Sequence, residues 1–354
     1  MEKMERERFT SIEKKQLIIF FIIAFGFTYL MGLPMAEAAK RSFPVDLFVN
    51  TQMMYPAVGA IIAMLITKWN DPRLPKKFYI SIVFFTVLMV LVTVLSLFTD
   101  MVSLSSYPTI LMGGGVISWF IYFIEKKQNR ISYSLTTFKK NKGYIYILLF
   151  LVLYFARIYV PVLLGLEELE NVIPSRDRLM LPLILLPNFI LVMLPFFGEE
   201  YGWRGFLQPL LQKRFGNIIG IFILGFLWGI WHLPVNILFY SPQTWGYSVL
   251  NQIIVCTGYS VFFGYAYMKT NNIWIPVWIH YLNNNLIALF VDPSAIQNQV
   301  LNMEAIIFMF ISTLILYMPF ILAPTFKKVK LEPIPIQVPK EFVVEEVSEE
   351  NIEG

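Results

Sequence analysis

Histidine and cysteine are nearly absent from this chain: its 354 residues include two histidines, His232 and His280, and one cysteine, Cys256. A lone cysteine excludes an intrachain disulfide and any all-thiolate metal cluster. Charge is scarce as well, 15% of residues against 57% hydrophobic, with a mean hydropathy of +0.62. That is too little polar surface to enclose one aqueous core, and it indicates an integral membrane protein. There is no glycine-rich nucleotide loop, no tandem repeat and no long soluble catalytic segment. The net charge of +4 is spread over connecting loops rather than gathered on one basic face, so nucleic acid is not an expected partner.

What the chain has in abundance is apolar runs of spanning length. A transmembrane helix needs roughly 20 mainly apolar residues, and on that basis ten spans are expected, at 17–36, 53–67, 79–98, 107–124, 143–164, 179–198, 217–240, 247–268, 272–290 and 304–323. The first run lacks a small-residue cleavage site and reads as a retained span rather than a signal peptide. The predicted fold is therefore an all-α, polytopic transmembrane helical bundle. Basic residues orient it: with a cytoplasmic amino terminus, the inner segments hold 23 of the 28 Lys and Arg residues and the outer segments only Lys40, Arg41, Arg176 and Arg178, with Arg157 inside a span. Both termini are then expected to be cytoplasmic, in a multi-pass protein of the cell membrane. The chain divides into a cytoplasmic segment 1–16, N-terminal helices over 17–142, a core with its final helix over 143–326, and a Pro- and Glu-rich cytoplasmic tail, 327–354. The tail reads as a solvated anchor of orientation, with a regulatory or partner-binding role as the alternative.

Polar groups enter the membrane at three places. The first is Gly198-Glu199-Glu200-Tyr201-Gly202-Trp203-Arg204. Glu200 and Arg204 are one helical turn apart and can compensate each other, which leaves Glu199, about 100° around the helix, to act in the bundle interior. The bland alternative is a set of interfacial acids with a snorkelling arginine. The second is Trp228-Gly229-Ile230-Trp231-His232-Leu233-Pro234, where a neutral imidazole could exchange a proton and Pro234 could bend the helix beside it. Counted from residue 217, His232 lies about 22 Å along its helix, which calls for a deep site, an aqueous helix start or that bend. The third is His280-Tyr281-Leu282-Asn283-Asn284-Asn285, in which His280 and Asn284 share a face and suit an oxyanion site, with polar glue between helices as the alternative. Arg157 is expected to pair with another helix or to snorkel.

These stations resemble the three motifs of the CPBP/Abi family of intramembrane proteases, which includes the type II CAAX prenyl endopeptidases. The motifs are two glutamates followed after three residues by arginine (Glu199-Glu200 to Arg204), an aromatic residue, usually phenylalanine, four positions before histidine (Trp228 to His232), and histidine followed after three residues by asparagine (His280 to Asn284). Tryptophan in place of phenylalanine keeps an aromatic wall but takes more volume. The resemblance covers about residues 143–290. It implies an intramembrane endopeptidase working near the cytoplasmic membrane face: Glu199 and His232 activate water, His280 and Asn284 hold the oxyanion, and Glu200, Arg204 and Trp228 support the site. It further implies a lipid-modified or transmembrane peptide substrate amid membrane lipids, with CAAX-type processing one form of the reaction. No cofactor is required in the glutamate mechanism. Glu199, His232 and His280 could alternatively hold Zn2+ with one open position, although no His-Glu-x-x-His helix is present. Two rival functions are a non-proteolytic immunity or interaction protein with this fold and, more remotely, a transporter.

Overall fold

In the computed structural model, residues 7–99, 105–136, 142–174, 176–328 and 331–337 are described. The acidic tail from 338 onward, on which the anchoring expectation rests, lies outside them. The described residues are helical throughout, apart from turns and loops. The long helices, in chain order, are α1 (Ser11–Lys40), α2 (Asp46–Thr67), α3 (Lys76–Phe98), α4 (Ser106–Ile124), α5 (Tyr144–Leu163), α6 (Leu181–Phe215), α7 (Asn217–Trp231 continued by Leu233–Tyr240), α8 (Pro242–Thr270), α9 (Trp274–Leu286) and α10 (Met303–Leu322). Among the described residues, eight are long and apolar enough to cross a membrane, and nine if the bent α7 is counted as one span. Their outward faces carry large apolar side chains such as Leu33, Phe120, Phe123 and Leu163, as lipid contact requires. The chain is an integral, multi-pass membrane protein.

The segment expected as the span 272–290 is shorter. Its helix, α9, has 13 residues and rises about 20 Å, against a hydrocarbon core of roughly 30 Å. It still links the two ends of the bundle. Ile273 N–H donates to Ser134 at one pole, and Asn298 N–H, after the helix, donates to Phe239 at the other.

Hydrogen bonds define both poles. At the first, Lys213 pairs with Glu13 at 2.9 Å, Gln16 donates to Thr67, Lys68 to the Ile334 carbonyl and Ile336 N–H to Ser132. This pole gathers the segments richest in lysine and arginine, together with the first and last described residues. At the second, Arg41 donates to the Leu97 carbonyl, Arg178 pairs with Asp292, and Gln299 N–H donates to Tyr240.

Two glycine pairs set how closely the helices approach. Lipid is as apolar as leucine, so helices in a bilayer associate through packing, and small residues four apart let backbones meet. A Cβ on Gly198 would fall 2.4 Å from the Met53 carbonyl oxygen, and one on Gly202 would fall 2.3 Å from Pro56 Cβ, so α6 lies directly on the middle of α2. Gly225 and Gly229 do the same for α7 against Thr257 and Ile253 of α8, where a Cβ would meet the Cα atoms at 2.5 and 2.6 Å. Glu199 and Glu200 sit inside the first pair and Trp228 inside the second, so the spacings that lock the helices also fix the polar residues. Gly202→Ala is expected to lower the stability of the purified protein by about 1–3 kcal/mol, as overpacking does. Gly113→Ala, where a Cβ meets nothing within 4 Å, should leave it unchanged. Thermal unfolding in detergent compares the two.

Candidate functional site

The first motif does not end its helix. α6 runs on from Glu200 through a π-helical stretch, Tyr201–Leu207, to Phe215. Such π segments widen a helix and frequently accompany functional positions. Glu199 therefore lies deep, about 27 Å from the start of this 35-residue helix and about 24 Å from its end. The interfacial, snorkelling alternative fails, because Glu199 is 2% exposed and Glu200 and Arg204 are both 0% exposed. Arg204 thus leaves the inner loop count and enters the bundle.

The second motif sits at a break. α7 bends by 42° between Trp231 and Leu233, with His232 at the joint. Pro234 has no N–H to offer the Ile230 carbonyl four residues earlier, and Tyr29 of α1 donates its hydroxyl to that oxygen at 3.0 Å. Trp231 reinforces the attachment by donating its indole N–H to the Ala24 carbonyl, 2.8 Å, in the π-helical stretch of α1. Of the three ways to reconcile the depth of His232, the bend is the one that occurs, in a site that is also deep.

Each imidazole has one nitrogen committed. His232 Nδ1 lies 2.8 Å from the Trp228 carbonyl oxygen, which can only accept, so Nδ1 carries the proton and Nε2 of the neutral ring is an acceptor. His280 Nδ1 lies 2.7 Å from Glu200 Oε1, the oxygen that also accepts from Arg204 Nη1 at 3.1 Å. Glu200 therefore does more than neutralise Arg204: it joins α6 to α9 and orients His280. With Nδ1–H donating to a carboxylate, the neutral ring offers Nε2 only as an acceptor. Donation from Nε2 to an oxyanion therefore requires the protonated ring.

Trp228 touches every station. Its indole N–H donates to Glu199 Oε2 at 2.6 Å, its face lies under the Arg204 guanidinium at 4.1 Å, its carbonyl holds His232, and its ring meets that of His280 edge-on at 5.7 Å between centroids. The wall expected at this position is also a hydrogen-bond donor, which phenylalanine could not be. Trp228→Phe keeps the ring and deletes the donor. A hydrogen bond to a charged group is worth about 1.5–3 kcal/mol, so the expected result is at least a roughly tenfold fall in kcat with KM little changed. An unaltered kcat would separate the indole N–H from the chemistry.

Asn284 is oriented from a distance. Arg157 of α5, which can only donate, gives Nη1–H to the Tyr259 hydroxyl at 3.0 Å; Tyr259 donates to Asn283 Oδ1 at 2.5 Å; and Asn283 Nδ2 donates to Asn284 Oδ1 at 2.9 Å. The arginine fixes the polarity of the whole series, so Asn284 has its oxygen occupied and presents its NH2 group. Arg157 meets another helix, as expected, although through a neutral tyrosine rather than an acid.

Glu199, Trp228, His232, His280 and Asn284 all line one cavity of about 540 Å³. Glu200 and Arg204 are buried behind its wall. Among the described residues, no three His, Cys, Asp or Glu side chains are placed to hold a metal ion. Glu199, His232 and His280, the set considered for Zn2+, form no such group here, although all three line the cavity.

Comparison with known proteins falls on the same segment. Residues 181–286, from the first residue of α6 to the last of α9, match the family model described as type II CAAX prenyl endopeptidase Rce1-like. The chain carries an Rce1-like domain. That domain holds all three motifs and both glycine pairs. A CAAX prenyl protease 2 of Methanococcus maripaludis is 27% identical over 132 residues, which cover 34% of this chain and 47% of that relative. The alignment therefore spans about half of the relative's length. No solved structure matches. Arg157 and Tyr259 show how the site draws on positions that no motif marks: Tyr259 lies within the Rce1-like domain, but Arg157, on α5, lies outside it. The only sequence signal for Arg157 was a charge within an apolar span.

Proposed function

We propose that this protein is an intramembrane endopeptidase in which a glutamate activates water. The observation that carries this reading is the convergence of Glu199, His232, His280 and Asn284, from three helices, on one cavity, with each imidazole tethered through Nδ1. Glu199 takes a proton from a water molecule as that water attacks the scissile carbonyl, and His232 Nε2 accepts a hydrogen bond from the same water. Asn284 NH2 and a protonated His280 hold the oxyanion. The proton on Glu199 then passes to the leaving amine as the C–N bond breaks. The name of the archaeal relative suggests CAAX-type processing, in which the substrate would be the end of a lipid-modified protein.

Membrane-peptide profiles from cells holding the wild type or abundance-matched Glu199→Gln test this reading. A product present only with the wild type supports hydrolysis. Identical profiles, with cellular function retained, would favour the non-proteolytic immunity or interaction role. A stoichiometric metal whose removal abolishes turnover and whose return restores it would replace the glutamate mechanism.

A further inference from the structure

Among the described residues, Arg157 is the one lysine or arginine on the cavity wall, and it comes from α5, outside the Rce1-like domain. It lies about 20 Å along that helix from Tyr144 and about 9 Å short of Leu163. A charge at such depth in an apolar span faces the bundle interior and calls for a partner of opposite sign. None is within reach. Every ion pair among the described residues joins other groups. Of the two acids on the cavity wall, Glu199 accepts from Trp228 and Asp46 opens α2. What surrounds the half-buried guanidinium is tyrosine: the Tyr259 hydroxyl accepts from Nη1 at 3.0 Å, and the Tyr154 ring centre lies 5.4 Å from its central carbon. A cation met only by neutral groups in a water-poor interior is costly until an anion joins it.

The uncommitted part of the guanidinium specifies that anion. With Nη1 bonded to Tyr259, the Nε and Nη2 N–H groups remain, a parallel pair on the opposite edge of the plane. Neither is among the buried atoms enclosed without a partner, in contrast to Nε and Nη2 of Arg204. The same pair on Arg73 grips both oxygens of Asp71, each at 3.1 Å. That planar, two-point fit suits a carboxylate. Beside it, Tyr154 lines the cavity with its hydroxyl buried and without a partner, a donor that an anion would satisfy. The position also bears on the chemistry. Three hydrogen bonds, through Tyr259 and Asn283, separate Arg157 from Asn284, a span on the order of 10 Å, or a few residues of extended chain.

We propose that Arg157 is a carboxylate-binding subsite of the cavity, holding a carboxylate that the peptide carries within a few residues of the scissile bond, either its free C-terminus or an Asp or Glu side chain. That the carboxylate belongs to the peptide being cut rests on the endopeptidase reading; the anion site does not. Tagged full-length protein carrying Glu199→Gln, so that retention is read without turnover, is offered three pools of mixed-sequence decapeptides in detergent. The first lacks Asp and Glu and has a free C-terminal carboxylate, the second is the same pool amidated, and the third is amidated with Asp and Glu allowed. Retained peptides are quantified by mass spectrometry. The expected result is roughly tenfold or greater retention of the free-acid pool over its amidated form, the scale of charge-assisted hydrogen bonds, with the difference lost when Arg157→Gln is added. Retention recovered only in the third pool also supports the subsite and identifies a side chain as the source. Equal retention of all three pools, or a preference that survives Arg157→Gln, overturns the proposal; a role confined to orienting Asn284 would leave the preference intact. Should Arg157→Gln fail to fold, Arg157→Lys keeps the charge without the fork, and an undiminished preference in that variant is the overturning result. The same pools given to protein with Glu199 intact report hydrolysis. Absence of cleavage there would count against the endopeptidase reading, while retention still decides the subsite.

Discussion

Glu199→Gln is expected to lower kcat by about 10²–10⁴, the range for removal of a positioned general base, while leaving the protein folded and abundant. The carboxamide has the volume of the carboxylate, and its oxygen can still accept the Trp228 indole N–H that now reaches Glu199 at 2.6 Å. What it cannot do is take a proton from water. Single-turnover kinetics on protein in liposomes, with melting temperature measured on the same preparation, separates the two effects. A variant that melts like the wild type and turns over at an undiminished rate would remove Glu199 from the chemistry.

The neighbouring glutamate should behave in the opposite way. Glu200 and Arg204 are both 0% exposed and bonded at 3.1 Å, so Glu200→Gln leaves a buried guanidinium without a counter-charge, a change that costs about 3–5 kcal/mol. Low abundance and a strongly depressed melting temperature are expected. A second substitution tests the assignment independently of folding. Replacing Arg204 by methionine in the same protein removes the stranded charge and should recover most of the stability, as exchange of buried ion pairs for apolar residues often does. Activity should not return with it, because His280 still lacks the carboxylate that accepts its Nδ1–H at 2.7 Å. Restoration of both together would reduce Glu200 to a partner of Arg204 alone.

Much of the site was legible in the sequence, and particular residues show where legibility stopped. The i, i+4 relation of Glu200 to Arg204 predicted their ion pair correctly, because both lie on one helix and helical geometry is local. Pro234 announced the bend at His232 for the same reason, since a missing N–H acts on the carbonyl four residues back. The glycine pairs 198/202 and 225/229 were not read from the sequence, because their meaning lies in the partners they meet on α2 and α8. The indole donor of Trp228 and the tether from Glu200 to His280 join residues 29 and 80 positions apart, and no spacing rule reaches that far.

By itself the sequence determined the membrane class, the helical runs and the ordered motifs, because lipid solvation and helix periodicity act over a turn or a span of chain. Only the tertiary structure decided which nitrogen of each histidine is committed and that Glu200 serves both Arg204 and His280. Those outcomes depend on the rotation of each helix about its axis and on how closely its neighbours approach. The glycine contacts between α6 and α2 and between α7 and α8 set both, and they exist only once the helices are assembled.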